Sequence, residues 1–206
     1  MHIDHVVYGV RDLEATAARM REEFGLGSVQ GGRHPGWGTG NRIVPLGPNY
    51  IELLAVIDRA EAERNEPGRS LLESVAEGDR FIAWCVATDD IEGVAARLEV
   101  PVTAGTRERP DGTVLQWRSA GLDRALAEPS LPFFIAWDVP PELHPGRAEA
   151  DHVARPSGIS RLEIGGDALR VNDWLDGALL PVEVVGGPPG VLAVEIGAEP
   201  DAIVVR

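Results

Sequence analysis

Ile3-Asp4-His5-Val6-Val7-Tyr8-Gly9-Val10 is strand-like, and the chain then passes through Asp12 into Leu13, Ala17, Met20 and Phe24, ending at Gly25. The second set recurs at helical spacing, with Asp12 suited to capping the first turn and Gly25 to closing the last. The pattern restarts at Phe81: an apolar run to Thr88, Asp90 as cap, then Ile91, Val94, Ala95 and Leu98 as the next apolar stripe. A third start follows at Ile159, with Ser160-Arg161-Leu162-Glu163-Ile164-Gly165, Asp167 as cap, and Ala168, Val171 and Leu175 as the buried stripe. Such a period is the first thing to establish, because it sets the architecture of the whole chain.

Each helix leads into short strands separated by turn residues. In the first unit these are predicted at 28–33, 41–46 and 50–57, with Gly47-Pro48-Asn49 as the last turn. The second unit predicts 102–107, 113–119 and 133–138, with Arg109-Pro110-Asp111-Gly112 as a hairpin turn. The third predicts 182–185, 191–196 and 202–205, interrupted by Gly186-Gly187-Pro188-Pro189-Gly190. The expected fold is therefore α+β: βαβββ modules at 1–58 and 81–138 paired through 59–80, a Pro-rich connector at 139–158, and a third βαβββ-like module at 159–206 on the same domain. Ser70-Leu71-Leu72-Glu73 reads as a capping box opening a short helix closed by Gly78. In the connector, Pro140, Pro141, Pro145 and Pro156 suggest an extended segment, with His144 and His152 at the surface rather than on a metal. A helix with three or four strands leaves one sheet face bare, so two such sheets must face each other around an open, barrel-like cleft.

Composition narrows the function. The chain of 206 residues is 44% hydrophobic and 25% charged, an ordinary globular balance. Its 33 acidic against 19 basic residues give a formal charge of −14, which disfavours nucleic acid and anionic membrane surfaces as partners. The single cysteine, Cys85, lies in an apolar run; it allows no internal disulfide and reads as a small buried hydrophobe. No segment has the roughly 20 apolar residues of a membrane span, and Met1-His2-Ile3-Asp4-His5 lacks a basic, apolar leader, so a cytoplasmic location is expected.

The repeated strand-helix-strands order, with the loop Gly31-Gly32-Arg33-His34-Pro35-Gly36-Trp37-Gly38-Thr39, resembles the glyoxalase-like branch of the vicinal oxygen chelate superfamily. Local matches are Ile3 to Val7, Arg33 to Asn41, Tyr50 to Val56, and Arg109 to Thr113. The resemblance implies a cleft between two paired modules that holds a small molecule and often a divalent metal. It also implies metal ligands from the first and last strands of each module, typically a histidine and a glutamate. His5 and Glu52 match, and strand parity turns both toward the cleft. Ala83 and Phe133 stand at the corresponding positions of the second module, and Arg161 faces His5 in the third, so the ligand set is incomplete. No metal ligand is assigned; a divalent metal at His5 and Glu52 stands beside a buried hydrogen-bonded pair acting as base and orienting group.

Around this pair, Arg33, His34, Trp37, Asn41, Trp84 and Arg109 are the candidate ligand-binding residues, supplying cations, an imidazole, indoles and an amide for a ligand with a carbonyl or carboxylate and an apolar body. The glycine-rich loop fits either a mobile hairpin or a ligand-facing loop; it lacks the endings of a Walker loop and the context of a dinucleotide fingerprint. Trp84, Trp117, Trp137, Phe133 and Phe134 form either core or an apolar wall. Arg107, Arg109 and Arg118 flank the second hairpin as anion anchors or solvated edge residues. The expected activity is a lyase or isomerase acting on a carbonyl- or carboxylate-bearing molecule, with Glu52 as base and His5 as its partner. The alternative is a non-catalytic protein that sequesters a small molecule. Three units are an odd number for a barrel closed by pairs, so either one half-barrel is left partly open or a second chain completes it in a homodimer.

Overall fold

The computed structural model describes residues 1–109 and 111–206; Pro110, in the second hairpin turn, lies outside the described residues. The first unit comprises β1 (His2–Gly9), α1 (Leu13–Phe24), β2 (Val29–His34), β3 (Thr39–Pro45) and β4 (Tyr50–Val56). Two short helices, α2 (Arg59–Ala62) and α3 (Glu66–Ser74), lead to the second unit: β5 (Arg80–Ala87), α4 (Ile91–Leu98), β6 (Val102–Glu108), β7 (Val114–Ala120), α5 (Leu122–Ala127) and β8 (Phe133–Trp137). The third unit holds β9 (Ile159–Gly165), α6 (Ala168–Trp174), β10 (Val182–Val185), β11 (Gly190–Ile196) and β12 (Ile203–Val205). Asp12, Asp90 and Asp167 cap α1, α4 and α6 as read from the sequence, each side chain accepting from a backbone N–H of the first turn.

One eight-stranded sheet joins the first two units in the order β2-β3-β4-β1-β5-β8-β7-β6. In each half the last strand lies parallel beside the first, β4 against β1 and β8 against β5, and the halves meet where β1 runs antiparallel to β5. The sheet curls until its two edges approach: a Cβ on Gly32 of β2 would lie 2.8 Å from both the Arg107 side chain and the Glu108 carbonyl of β6. Alternation along the strands divides the residues between two faces. Val6, Ile51, Leu53, Trp84, Val86 and Phe134 point outward into the main core, with Met20 of α1 and Ile91 and Val94 of α4. His5, Val7, Glu52, Leu54, Ala83 and Phe133 point into the concave side.

The third unit repeats the order of elements but not their pairing. Its sheet runs β10-β9-β11-β12, so the strand after α6 lies beside β9, whereas β2 lies at the far edge of its half. Pairing is non-local, and element order does not specify it. This sheet packs on the outer face, β11 against β5, where Leu162, Ile164, Val194 and Ile196 join the main core. The first two units thus wall the cleft within one chain, and the reasoning from an odd unit to a second chain loses its premise.

Four local expectations change. Asn65, not Ser70, caps α3, accepting from the Gly68 N–H while its own amide donates to the carbonyls of Gly36 and Glu61. Helix α5 was not read from the sequence, since Gly121 precedes it with no capping side chain. The connector is packed rather than extended: it makes two short 3-10 turns, Pro141–Leu143 and Pro145–Arg147, and Gly146 accepts from the Gly47 N–H at 2.8 Å. Finally, Trp84 is a core residue. The parity that turns Ala83 inward turns Trp84 outward, where it is fully buried and donates from Nε1 to the Ser130 carbonyl at 3.1 Å. Trp84→Phe should leave ligand binding in the cleft unchanged and cost roughly 1–2 kcal/mol through the unpaired carbonyl and lost volume. Calorimetry checks this as a fall in Tm of about 5 °C.

Candidate functional site

The concave face encloses a cavity of about 370 Å³. One wall is apolar, made by Leu54, Ile82, Ala83, Trp117, Phe133 and Trp137; the polar groups gather where β1, β3 and β4 meet the edge of β6. Glu52 sits at their centre, its register on β4 set by pairing with Val7 of β1 and Ile43 of β3. Its Oε1 accepts from Asn41 Nδ2 at 2.5 Å, and its Oε2 lies 3.8 Å from His5 Nε2. That distance is too long for a hydrogen bond. The two groups face each other without being bonded, so the pair expected from the sequence is brought together but not joined.

His5 is fixed from behind. A β-bulge between Ile3 and His5 interrupts the pairing of β1 with β5, and the adjacent side chains turn to each other, with His5 Nδ1 2.6 Å from Asp4 Oδ1. A carboxylate only accepts, so Nδ1 carries a proton and donates it to Asp4, while Nε2 is the ring nitrogen that faces the cleft. Asp4 is completely buried and takes two further donors on Oδ2, Trp137 Nε1 at 2.9 Å and His144 Nε2 at 3.0 Å. His144 therefore reaches inward from the connector, contrary to the surface placement expected; its Nδ1 accepts from the Gly146 N–H. Burial alone would raise the Asp4 carboxyl, but the hydrogen bonds from His144 and His5 outweigh it and hold the group well below the usual carboxylate range. Tyr50 completes the clamp, stacked on the His5 ring at 4.6 Å.

His34, Trp37 and Asn41 line the cleft. His34 Nε2 is 3.8 Å from Glu52 Oε1; burial, against the pull of Glu52, pushes its imidazole down, so the ring is neutral at neutral pH. The loop that carries it is not a loose hairpin: Gly36 N–H donates to Glu61 Oε1 at 2.9 Å, and Gly38 O accepts from both Ile57 and Asp58 N–H. His152, in the connector, accepts from the Gly27 N–H.

Arg33 and Arg109 do not reach the cleft. Parity turns Arg33 outward when its neighbour His34 turns in, and it pairs with Asp58 and Glu61 of the α2 region. Arg109 lies past the end of β6 and donates to the Leu143 carbonyl at 2.6 Å. The inward cation is Arg107, 6% exposed on the closing edge strand. Its Nη1 donates to Asn41 Oδ1 at 3.1 Å, and the same oxygen accepts from the Gly32 N–H at 2.8 Å. The Gly31-Gly32 pair makes this crossing possible: a Cβ on Gly31 would sit 1.9 Å from Asn41 Oδ1, and one on Gly32 would press on Arg107. Gly31→Ala should displace the Asn41 amide and cost roughly 1–3 kcal/mol, read as a Tm several degrees lower in a melting scan.

The donor set does not suit a tightly held metal ion. Among the described residues, the metal-ligating side chains whose donor atoms all lie within 4.8 Å of one another are Asp4, His5 and Cys85, not His5, Glu52 and His34. In that cluster His5 Nδ1 and Asp4 are hydrogen-bonded together, and burial pushes the Cys85 thiol well up. Ala83 and Phe133, lining the cleft at the second module's matching positions, offer no ligand atoms.

Paired βαβββ modules curled around one cleft, with a histidine on the first strand and a glutamate on the last, define a vicinal oxygen chelate protein. Within that superfamily the chain belongs to the glyoxalase-like domain family, whose model matches residues 3–178. No protein of curated function matches it. Among solved structures, a hypothetical protein from Staphylococcus aureus shares 18% identity and the fold over 97% of this chain and 82% of its own, with a TM-score of 0.66. Methylmalonyl-CoA epimerase from Mycobacterium tuberculosis is similar at 17% identity, over 69% of this chain and 90% of its own, with a TM-score of 0.46. No helix is long and apolar enough to cross a membrane among the described residues.

Proposed function

We propose that the cleft binds a small molecule carrying a carbonyl or carboxylate and that Glu52 moves a proton on it, a lyase or isomerase chemistry. The observation behind this is the placement of Glu52: one oxygen fixed by Asn41, the other facing the cleft beside His5 Nε2 and an apolar wall. Glu52 takes a proton from the carbon next to the substrate carbonyl, the electron pair moves onto that oxygen, and the proton returns to carbon or a leaving group departs. His5, held by Asp4 and Tyr50, offers a rigid partner for the polar end of the substrate. The test is hydrogen–deuterium exchange at carbons next to a carbonyl, followed by NMR over a panel of oxo acids and branched acids in heavy water. The expected result is exchange above the buffer rate for at least one member; a flat panel overturns the enzymatic reading. It would leave the binding reading, which the apolar wall and the replacement of ligand positions by Ala83 and Phe133 favour.

A further inference from the structure

The geometry points to Arg107 as a built anion site: we infer that the cleft selects small molecules with a single carboxylate on an apolar body, and that this carboxylate docks on the Arg107 guanidinium. This rests on the cleft being a ligand site and not on proton transfer by Glu52. Arg107 lines the cavity, and its Nε is buried with no hydrogen-bond partner among the described residues. A guanidinium cannot discharge itself by losing a proton, so a buried one needs an acceptor for each N–H. Among the described residues its one polar support is neutral, the Asn41 side-chain oxygen. The nearest carboxylate in the network, Glu52, is reached only through that amide, which uses its other end to hold Glu52 Oε1.

The environment also sets the class of anion. A monoanion adds one negative charge beside Glu52 and buried Asp4, whereas a dianion such as a phosphate monoester adds two against the same guanidinium, so the single carboxylate is the less costly ligand. The planar fork of Arg107 matches a carboxylate, and the indoles of Trp117 and Trp137 with Phe133 and Leu54 supply an apolar wall for the body of the ligand. Asn41 fixes both Arg107 and Glu52, so a docked carboxylate is positioned relative to the base by one shared amide. The crossing from β6 to Asn41 needs the bare backbone at Gly31 and Gly32, which ties the glycine pair to the anion site.

Matched probes test this on the full chain: phenylacetate, phenylpropionate and naphthylacetate, each against its primary amide, by titration calorimetry and ligand-observed NMR. The wild type should bind at least one carboxylate about tenfold or more tighter than its amide. Arg107→Gln should bring the two within about twofold by weakening the carboxylate alone, and Arg107→Lys should keep part of the preference. Equal binding of acid and amide by the wild type, binding of neither at millimolar concentration, or a preference that survives Arg107→Gln would each overturn the inference. If Arg107→Gln does not fold, the wild-type preference and its reduction in Arg107→Lys carry the test. Glu52→Gln should leave or strengthen carboxylate binding, so failure of the proton-transfer reading and failure of the anion site give different results.

Discussion

Glu52→Gln is expected to abolish proton exchange at the cleft almost completely, by a factor on the order of 10² to 10⁴, while the protein stays folded. The substitution conserves shape, and the new side-chain oxygen can still accept from Asn41 Nδ2, so the seam between β3 and β4 is kept. What disappears is the second carboxylate oxygen, the basic atom facing His5 Nε2. A structural role for Glu52 predicts the opposite pattern, a lowered Tm with the exchange rate of the remaining folded protein intact. Measuring exchange and melting on the same samples separates the two.

Asp4→Asn should be the most destabilising conservative change in the chain, roughly 3–5 kcal/mol, seen as a fall in Tm on the order of 10 °C at neutral pH. Asp4 accepts from His5, His144 and Trp137, which come from β1, the connector and β8, so it ties three distant segments at one buried point. An asparagine has one accepting oxygen for three donors, and its amide hydrogens face the others. The pH dependence follows from the same contacts. The folded carboxyl is held below its unfolded value of about 3.9, so its stabilisation is fully present above that value and is lost as pH falls below it. Wild type and Asp4→Asn should therefore converge in Tm as the solution is acidified; a constant gap across the acid range would refute this account. Loss of the clamp should also free the His5 ring, so ligand affinity in the cleft should fall along with stability.

The strands of the first two units were legible because their apolar alternation and turn residues are local signals. The three aspartate caps were legible because a cap is read within four residues. His5 and Glu52 could be paired from parity and resemblance. Trp84 and Arg33 stand away from the cleft, because the parity that turns their neighbours Ala83 and His34 inward turns them outward. Arg107 stood among three arginines that composition could not separate; only the closing of the sheet distinguishes it, because its partner Asn41 lies 66 residues away. His144, 140 residues from Asp4, could not be seen at all.

By itself the sequence determined the strands and the three aspartate-capped helices of the units, the inward face of β1 and β4, and the presence of one histidine and one glutamate on that face. These follow from periodicity and capping, which act over a few residues. The tertiary structure decided how the third unit pairs, which cation enters the cleft, and what holds His5 in place. Those depend on contacts between segments far apart in the chain, where the deciding terms are the burial of charge and the close approach of backbone at Gly31 and Gly32.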